Sequence, residues 1–179
     1  MDIIDILLYV PGCLVGLIAL LMLVASMGSG DFRIAKSLLI AAPPEKIFPW
    51  LNAPKKFHEW SPYREKDLSA KNEFSGPEVG PGAIFHWSGN GNVGEGYMRF
   101  IEQDLNRSVK VDLEFIKPFA GHNLVEFSLE SQPEGTIVTW AMTGKFSFMP
   151  KLVGFFININ KMIGDDFAKG LEKLKTLVE

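Results

Sequence analysis

The chain has 179 residues, 47% of them hydrophobic, and a formal net charge of −3, a length that suits one ordinary domain with an appendage rather than two full domains. A charged fraction of 22% with 14 Phe and 4 Trp excludes a disordered chain, which lacks the apolar area to offset its ordering entropy. The near-neutral charge argues against a nucleic-acid binder, which uses a basic surface to displace counterions, and the single cysteine, Cys13, excludes both a disulfide framework and a Cys-based zinc site.

The first segment stands apart from the rest. Residues 6 to 30 contain no Asp, Glu, Lys, Arg or His, and Ile6 to Met27 is nearly continuous Leu, Ile, Val, Ala and Met. About 20 such residues, at ~1.5 Å rise, span a ~30 Å hydrocarbon core, and no polar stripe marks a soluble helix. Val24-Ala25-Ser26 offers a signal-peptide cleavage site, but the leading stretch carries Asp2 and Asp5 and no basic residue, against the signal-peptide pattern. The expectation is a retained transmembrane anchor with a short linker over residues 1–30 and a soluble domain over 31–179. Arg33, Lys36 and Lys46 follow the span and nothing basic precedes it, so the domain is expected on the cytoplasmic side of a single-pass protein. Only Gly28 to Asp31 separate the span from the first alternating residues, which holds the domain within ~20 Å of the bilayer by chain reach.

In the soluble part, Phe32 to Ala41 reads as a strand. Pro43-Pro44-Glu45 starts a helix, with Pro tolerated in the first turn and Glu suited to the dipole's positive end, and Pro49 inside it predicts a short or kinked element. Lys55 to Trp60 forms a second short helix, stopped by Pro62. Ser75 to Gly82 is turn-rich. From Ala83 the period changes to two, and five antiparallel strands follow, the first two joined by a turn at Gly89-Asn90-Gly91-Asn92. Pro150 ends the strands. Residues 152 to 178 show helical period, with Phe156, Ile159, Ile163, Phe167, Leu171, Leu174 and Val178 on one stripe and Asn158, Lys161 and Asp165 on the other. One-faced strands and a long amphipathic helix pack best with the sheet curled around the helix. The fold class is therefore α+β: a helix-grip fold, a curved antiparallel sheet around a long C-terminal helix, preceded by one transmembrane helix.

With this layout, the stretches Pro44-Glu45-Lys46-Ile47-Phe48, Phe57-His58-Glu59-Trp60-Ser61-Pro62, Gly80-Pro81-Gly82-Ala83, Trp87 with Gly94-Glu95-Gly96, Val138-Thr139-Trp140 and Gly170-Leu171 resemble the superfamily that groups START lipid-transfer domains, birch-pollen-allergen-like proteins and polyketide cyclases. The resemblance covers nearly all of residues 32 to 179. It implies an interior cavity for lipids, polyketides or other apolar ligands, and it leaves open whether a member catalyses or only binds.

The inward strand positions expected to line that cavity are Phe85, Trp87, Met98, Phe100, Val111, Leu113, Phe115, Phe127, Trp140 and Met142, with Phe156, Ile159 and Ile163 from the helix; the missing side chains of Gly94 and Gly96 are expected to leave room for a ligand. Trp60 and Tyr63 are expected at the mouth, with Phe148, Met149 and Phe155 forming a membrane-facing lip. Glu95, Tyr97, Arg99 and His86 share the opposite alternation set and are expected to face solvent, so no catalytic residue is assigned. His58, His86 and His122 lie on different elements without ligand spacing, which predicts neither a metal nor another cofactor. The expected partners are a lipid membrane and an apolar small molecule or lipid. The expected function is a membrane-anchored binding or carrier domain, with a polyketide cyclase or dehydratase as the alternative.

Overall fold

The computed structural model describes Gly16, residues 30–154 and residues 157–179. Its elements run in the order β1 Asp31–Ile40, α1 Pro44–Leu51, α2 Pro54–Trp60, a 3-10 turn Arg64–Lys66, β2 Lys71–Ser75, β3 Ile84–Ser88, β4 Glu95–Asp104, β5 Ser108–Lys117, β6 Gly121–Gln132, β7 Gly135–Lys145, α3 Phe148–Val153 and α4 Ile159–Val178. The strands form one antiparallel sheet in the order β1-β7-β6-β5-β4-β3-β2. The chain's first strand thus returns beside its last, and β1 and β2 are the two free edges. The apolar face of the sheet wraps α4, which buries Phe167, Leu171, Leu174 and Val178. This is the layout of a helix-grip fold.

The short helices close one end of the wrap. Pro44 and Pro54 occupy the first turns of α1 and α2, where the missing N–H costs nothing. Pro49 lies inside α1, which runs for 8 residues. Ile47, Phe48, Leu51, Phe57 and Trp60 are buried against the sheet. Trp60 donates its indole N–H to the Trp50 carbonyl at 3.0 Å, which locks α2 onto α1. The grip helix passes close by at Gly170, where a Cβ would lie 2.9 Å from the Trp140 ring and 3.1 Å from Pro62. Only glycine admits this approach.

Two elements differ from the sequence expectation. The strand β2 is additional; Lys71–Ser75 has one large apolar residue, Phe74, which stacks on Phe85 of β3 at 5.0 Å. The C-terminal helix is not continuous from residue 152. The short α3 ends at Val153 with Gly154 as its C-cap, and α4 begins after Asn158, whose side chain accepts the Lys161 backbone N–H at 2.9 Å. Asn158, expected on a polar helix face, is instead an N-cap, the place where a short amide competes best for backbone donors. Among the described residues no helix is long and apolar enough to cross a membrane. The expected anchor lies outside the described residues, save for Gly16 and Gly30.

Candidate functional site

Between sheet and grip helix lies a cavity of about 410 Å³, within the roughly 300–1,000 Å³ common for small-molecule sites. Its floor is the inner face of β3 to β7: Phe85, Trp87, Met98, Leu113, Phe115, Asn123, Val125, Trp140 and Met142. Its roof is Ile159, Met162, Ile163, Asp166 and Phe167 of α4, and its side is Phe57 and His58 of α2 with the stretch that follows. Phe119, Ile157 and Met162 line the cavity and are also solvent-exposed, so it opens between the β5–β6 loop and the start of α4.

Of the expected lining residues, Phe85, Trp87, Met98, Leu113, Phe115, Trp140, Met142, Ile159 and Ile163 stand on the cavity wall. Phe100, Val111 and Phe127 do not. They are buried on the same face but nearer α1 and α2, where Phe57 and Trp60 pack within 5.9 Å of the Phe127 ring. The inner face is therefore half chamber and half dry core, a division that strand alternation alone does not encode. Trp60 belongs to the dry half and does not reach the mouth. Tyr63 does line the cavity. Phe148 and Met149 are 42% and 45% exposed on α3, whose Pro150 and Val153 contribute to the wall. Phe155 and Phe156 lie outside the described residues.

The glycines act differently from the expectation. A Cβ at Gly96 would lie 2.6 Å from the Trp87 ring. The indole fills the gap left by the glycine, and its N–H donates to the Val93 carbonyl at 2.9 Å. Gly96 thus fixes a rigid aromatic wall instead of leaving a void.

The sequence reading missed the polar part of the wall. The Lys66 ammonium lies 2.5 Å from the Asp166 carboxylate and 5.0 Å over the Tyr63 ring. Burial and the Asp166 charge push the Tyr63 phenol up, so it stays a hydroxyl donor. Asp67 accepts from the Ser69 backbone N–H at 3.0 Å and its hydroxyl at 2.6 Å, and from the Asn90 backbone N–H at 2.7 Å, which ties this stretch to the β3–β4 turn. The Ser69 bond, then that to Asn90, holds its carboxyl below the usual range. His58 sits edge-on to Phe85 at 5.4 Å, and burial, then Arg64, lowers its pKa. One signal for Asp166 was present in the sequence. It stands three residues after Ile163 and directly before Phe167, on the apolar side of the helix.

The opposite sheet face carries an ionic network instead. Arg99 pairs with Asp112 at 3.4 Å and Glu114 at 2.7 Å, Lys117 with Glu95 at 2.8 Å, and His86 stacks on Tyr97 at 4.4 Å. Glu95, Tyr97, Arg99 and His86 do not touch the cavity. Among the described residues no three His, Cys, Asp or Glu side chains are placed to share a metal.

The domain's first residues meet the same rim. Phe146 donates its backbone N–H to the Gly30 carbonyl at 2.9 Å, Asp31 pairs with Lys145 in the β1–β7 register, and Phe32 stacks on Phe146 at 4.2 Å. Phe32, Lys145 and Phe146 all line the cavity.

No match to the sequence is found among curated proteins. Among solved structures, protein MLL2253 from Mesorhizobium loti is similar at 21% identity and a TM-score of 0.60, with 82% of this chain and 96% of that chain covered. Ara h 8.0201 is similar at 13% identity and a TM-score of 0.59, with 83% and 98% covered. The di-domain ARO/CYC StfQ from the steffimycin biosynthetic pathway is similar at 8% identity and a TM-score of 0.59, with 84% of this chain and 51% of that chain covered. At these identities the likeness establishes the fold. The sequence itself goes further: residues 31–179 match the family model for polyketide cyclase / dehydrase and lipid transport, and the chain belongs to that family.

Proposed function

We propose that this protein is a membrane-anchored binding or carrier domain for an apolar small molecule or lipid. The observation that carries the reading is the chamber of about 410 Å³ between sheet and grip helix, floored by aromatic, Leu and Met side chains. Apolar walls of this kind bind by removing ligand surface from water. The family to which residues 31–179 belong includes lipid transport, which supports the same reading.

Anchoring rests on the sequence: 25 uncharged residues from Ile6 to Gly30, long enough to cross a bilayer. On this reading the protein spans once and the domain faces the cytoplasm, the side of Arg33 and Lys36. On the same reading the anchor would join the domain at Gly30, whose carbonyl accepts from Phe146 on the cavity wall. A ligand then passes between bilayer and chamber without crossing bulk water, past a lip that includes Phe148, Met149 and Phe155.

A cyclase or dehydratase is the second reading. One observation favours it: Tyr63, Lys66 and Asp166 put ionisable groups on the cavity wall, where acid–base chemistry needs them. The test is native mass spectrometry of the full-length protein extracted from membranes, with lipid analysis of what co-purifies. The carrier reading expects an unmodified apolar compound at one per chain. Release of the intact protein by carbonate overturns the anchor, and turnover of the bound compound overturns the carrier in favour of the enzyme.

A further inference from the structure

The polar side chains of the cavity wall are not scattered. Five of them, Ser61, Tyr63, Arg64, Lys66 and Asp67, come from one stretch, and Lys66 of that stretch meets Asp166 of α4. Asp166 is 6% exposed, in a helix face that is otherwise apolar. Withdrawing a carboxylate from water is costly unless an opposite charge meets it, and Lys66 does so at 2.5 Å. An ammonium carries three donors, and this contact occupies one. The Lys66 side chain is one-third exposed. Arg64, two residues earlier on the wall, is exposed and makes no ion pair among the described residues.

Charge on the wall is lopsided. Arg64, Lys66 and Lys145 stand against Asp67 and Asp166, while Lys117, also on the wall, is already paired with Glu95. Both carboxylates are engaged, Asp67 by the Ser69 and Asn90 amides and Asp166 by Lys66. The surplus is therefore of donors and positive charge, in a chain whose net charge is −3. Such a surplus beside an apolar chamber complements one kind of molecule. Charge-assisted hydrogen bonds to an anion are roughly twice as strong as neutral ones.

We infer that the cavity takes an amphiphile with an anionic head, a carboxylate or a phosphate, held at Lys66 and Arg64 with its apolar body against Trp140, Met142 and Leu113. This inference rests on the reading of the cavity as a ligand site. It names the head that the proposed function leaves open.

The test uses the full chain in phosphatidylcholine nanodiscs, with the intrinsic fluorescence of the cavity tryptophans as signal. The probes are dodecanoate, dodecyl phosphate, dodecan-1-ol and the uncharged dye Nile red. One of the two anions is expected to bind at least about tenfold more tightly than the alcohol, about 1.4 kcal/mol, and which of them does so tells a carboxylate head from a phosphate head. Lys66→Met is expected to close most of that gap and leave the alcohol's affinity unchanged. Because that variant strands Asp166, the double variant Lys66→Met, Asp166→Leu removes the pair together and is expected to show the same loss. If Nile red binds while neither anion outbinds the alcohol, or if the gap survives in both variants, the inference falls and the cavity reading stands. If none of the four probes binds, both fall.

Discussion

Trp140 shows how much one side chain can carry here. It is 3% exposed, stacks on Phe167 at 4.1 Å and 9°, and meets Trp60 edge-on at 5.3 Å, so it separates the chamber from the dry core. Trp140→Ala is expected to cost ~3–5 kcal/mol through the void it leaves, measured by urea unfolding. Its buried indole N–H has no acceptor among the described residues, so Trp140→Phe loses no hydrogen bond and is expected to cost far less. Similar costs for the two would show that the indole N–H matters after all. His58 yields a pH prediction. Its pKa is lowered from 6.5, chiefly by burial and then by Arg64, so below that value the unfolded chain binds more protons at this site than the folded one. The stability it contributes is full above 6.5 and is lost as the pH falls through the lowered value. His58→Gln is expected to flatten that limb of the stability–pH curve, and an unchanged slope would refute the assignment. At this scale the sequence was only partly legible. Alternation groups Phe85, Leu113 and Met142 on one face, because alternation encodes facing, and all three line the cavity. It could not place Lys66 against Asp166, 100 residues apart, because nothing local records that contact.

At the scale of elements, the long strands were readable and the weak ones were not. The strands from β3 to β7 announce themselves by period-two apolar residues. The strand β2 holds only through its ladder to β3 and the Phe74–Phe85 stack, a tertiary gain that overrides local pattern. The break before α4 was missed because the apolar residues run through it. The Asn158 cap that sets the break was visible only as a polar residue on a helix face. Gly170 shows what the grip helix requires. Alanine there gains about 1 kcal/mol of helix propensity, yet its Cβ would press on the Trp140 and Trp60 rings and on Pro62. Trp140 is stacked on Phe167, and Trp60 is held edge-on to Trp140 and bonded to the Trp50 carbonyl, so neither ring swings aside freely. Gly170→Ala is therefore expected to be a net loss, with overpacking of about 1–3 kcal/mol; a higher urea midpoint would show that the ring layer yields.

On the scale of the whole molecule, chain direction and ligand route converge. The β1–β7 register brings Gly30 to Phe146, and Phe32, Lys145 and Phe146 beside it line the chamber. Under the proposed function, replacing Phe148 and Met149 together by Ser is expected to leave the thermal midpoint nearly unchanged, since both are exposed, while slowing ligand transfer between vesicles and the protein. An unchanged transfer rate would remove both residues from the lip. The sheet's own arrangement has a mechanical consequence. Its edges β1 and β2 never pair, and β2 is tied to the rest by five register positions on β3 alone. Across the seam, the flap formed by the 3-10 turn and β2 is clasped to α4 by Lys66–Asp166 and Glu65–Lys173 and to the β3–β4 turn by Asp67. A swing of this flap would break no ladder bond among β4 to β7. Amide exchange reports such local opening. The amides of β2 should exchange much faster than those of β6, and an occupied chamber should slow the flap first.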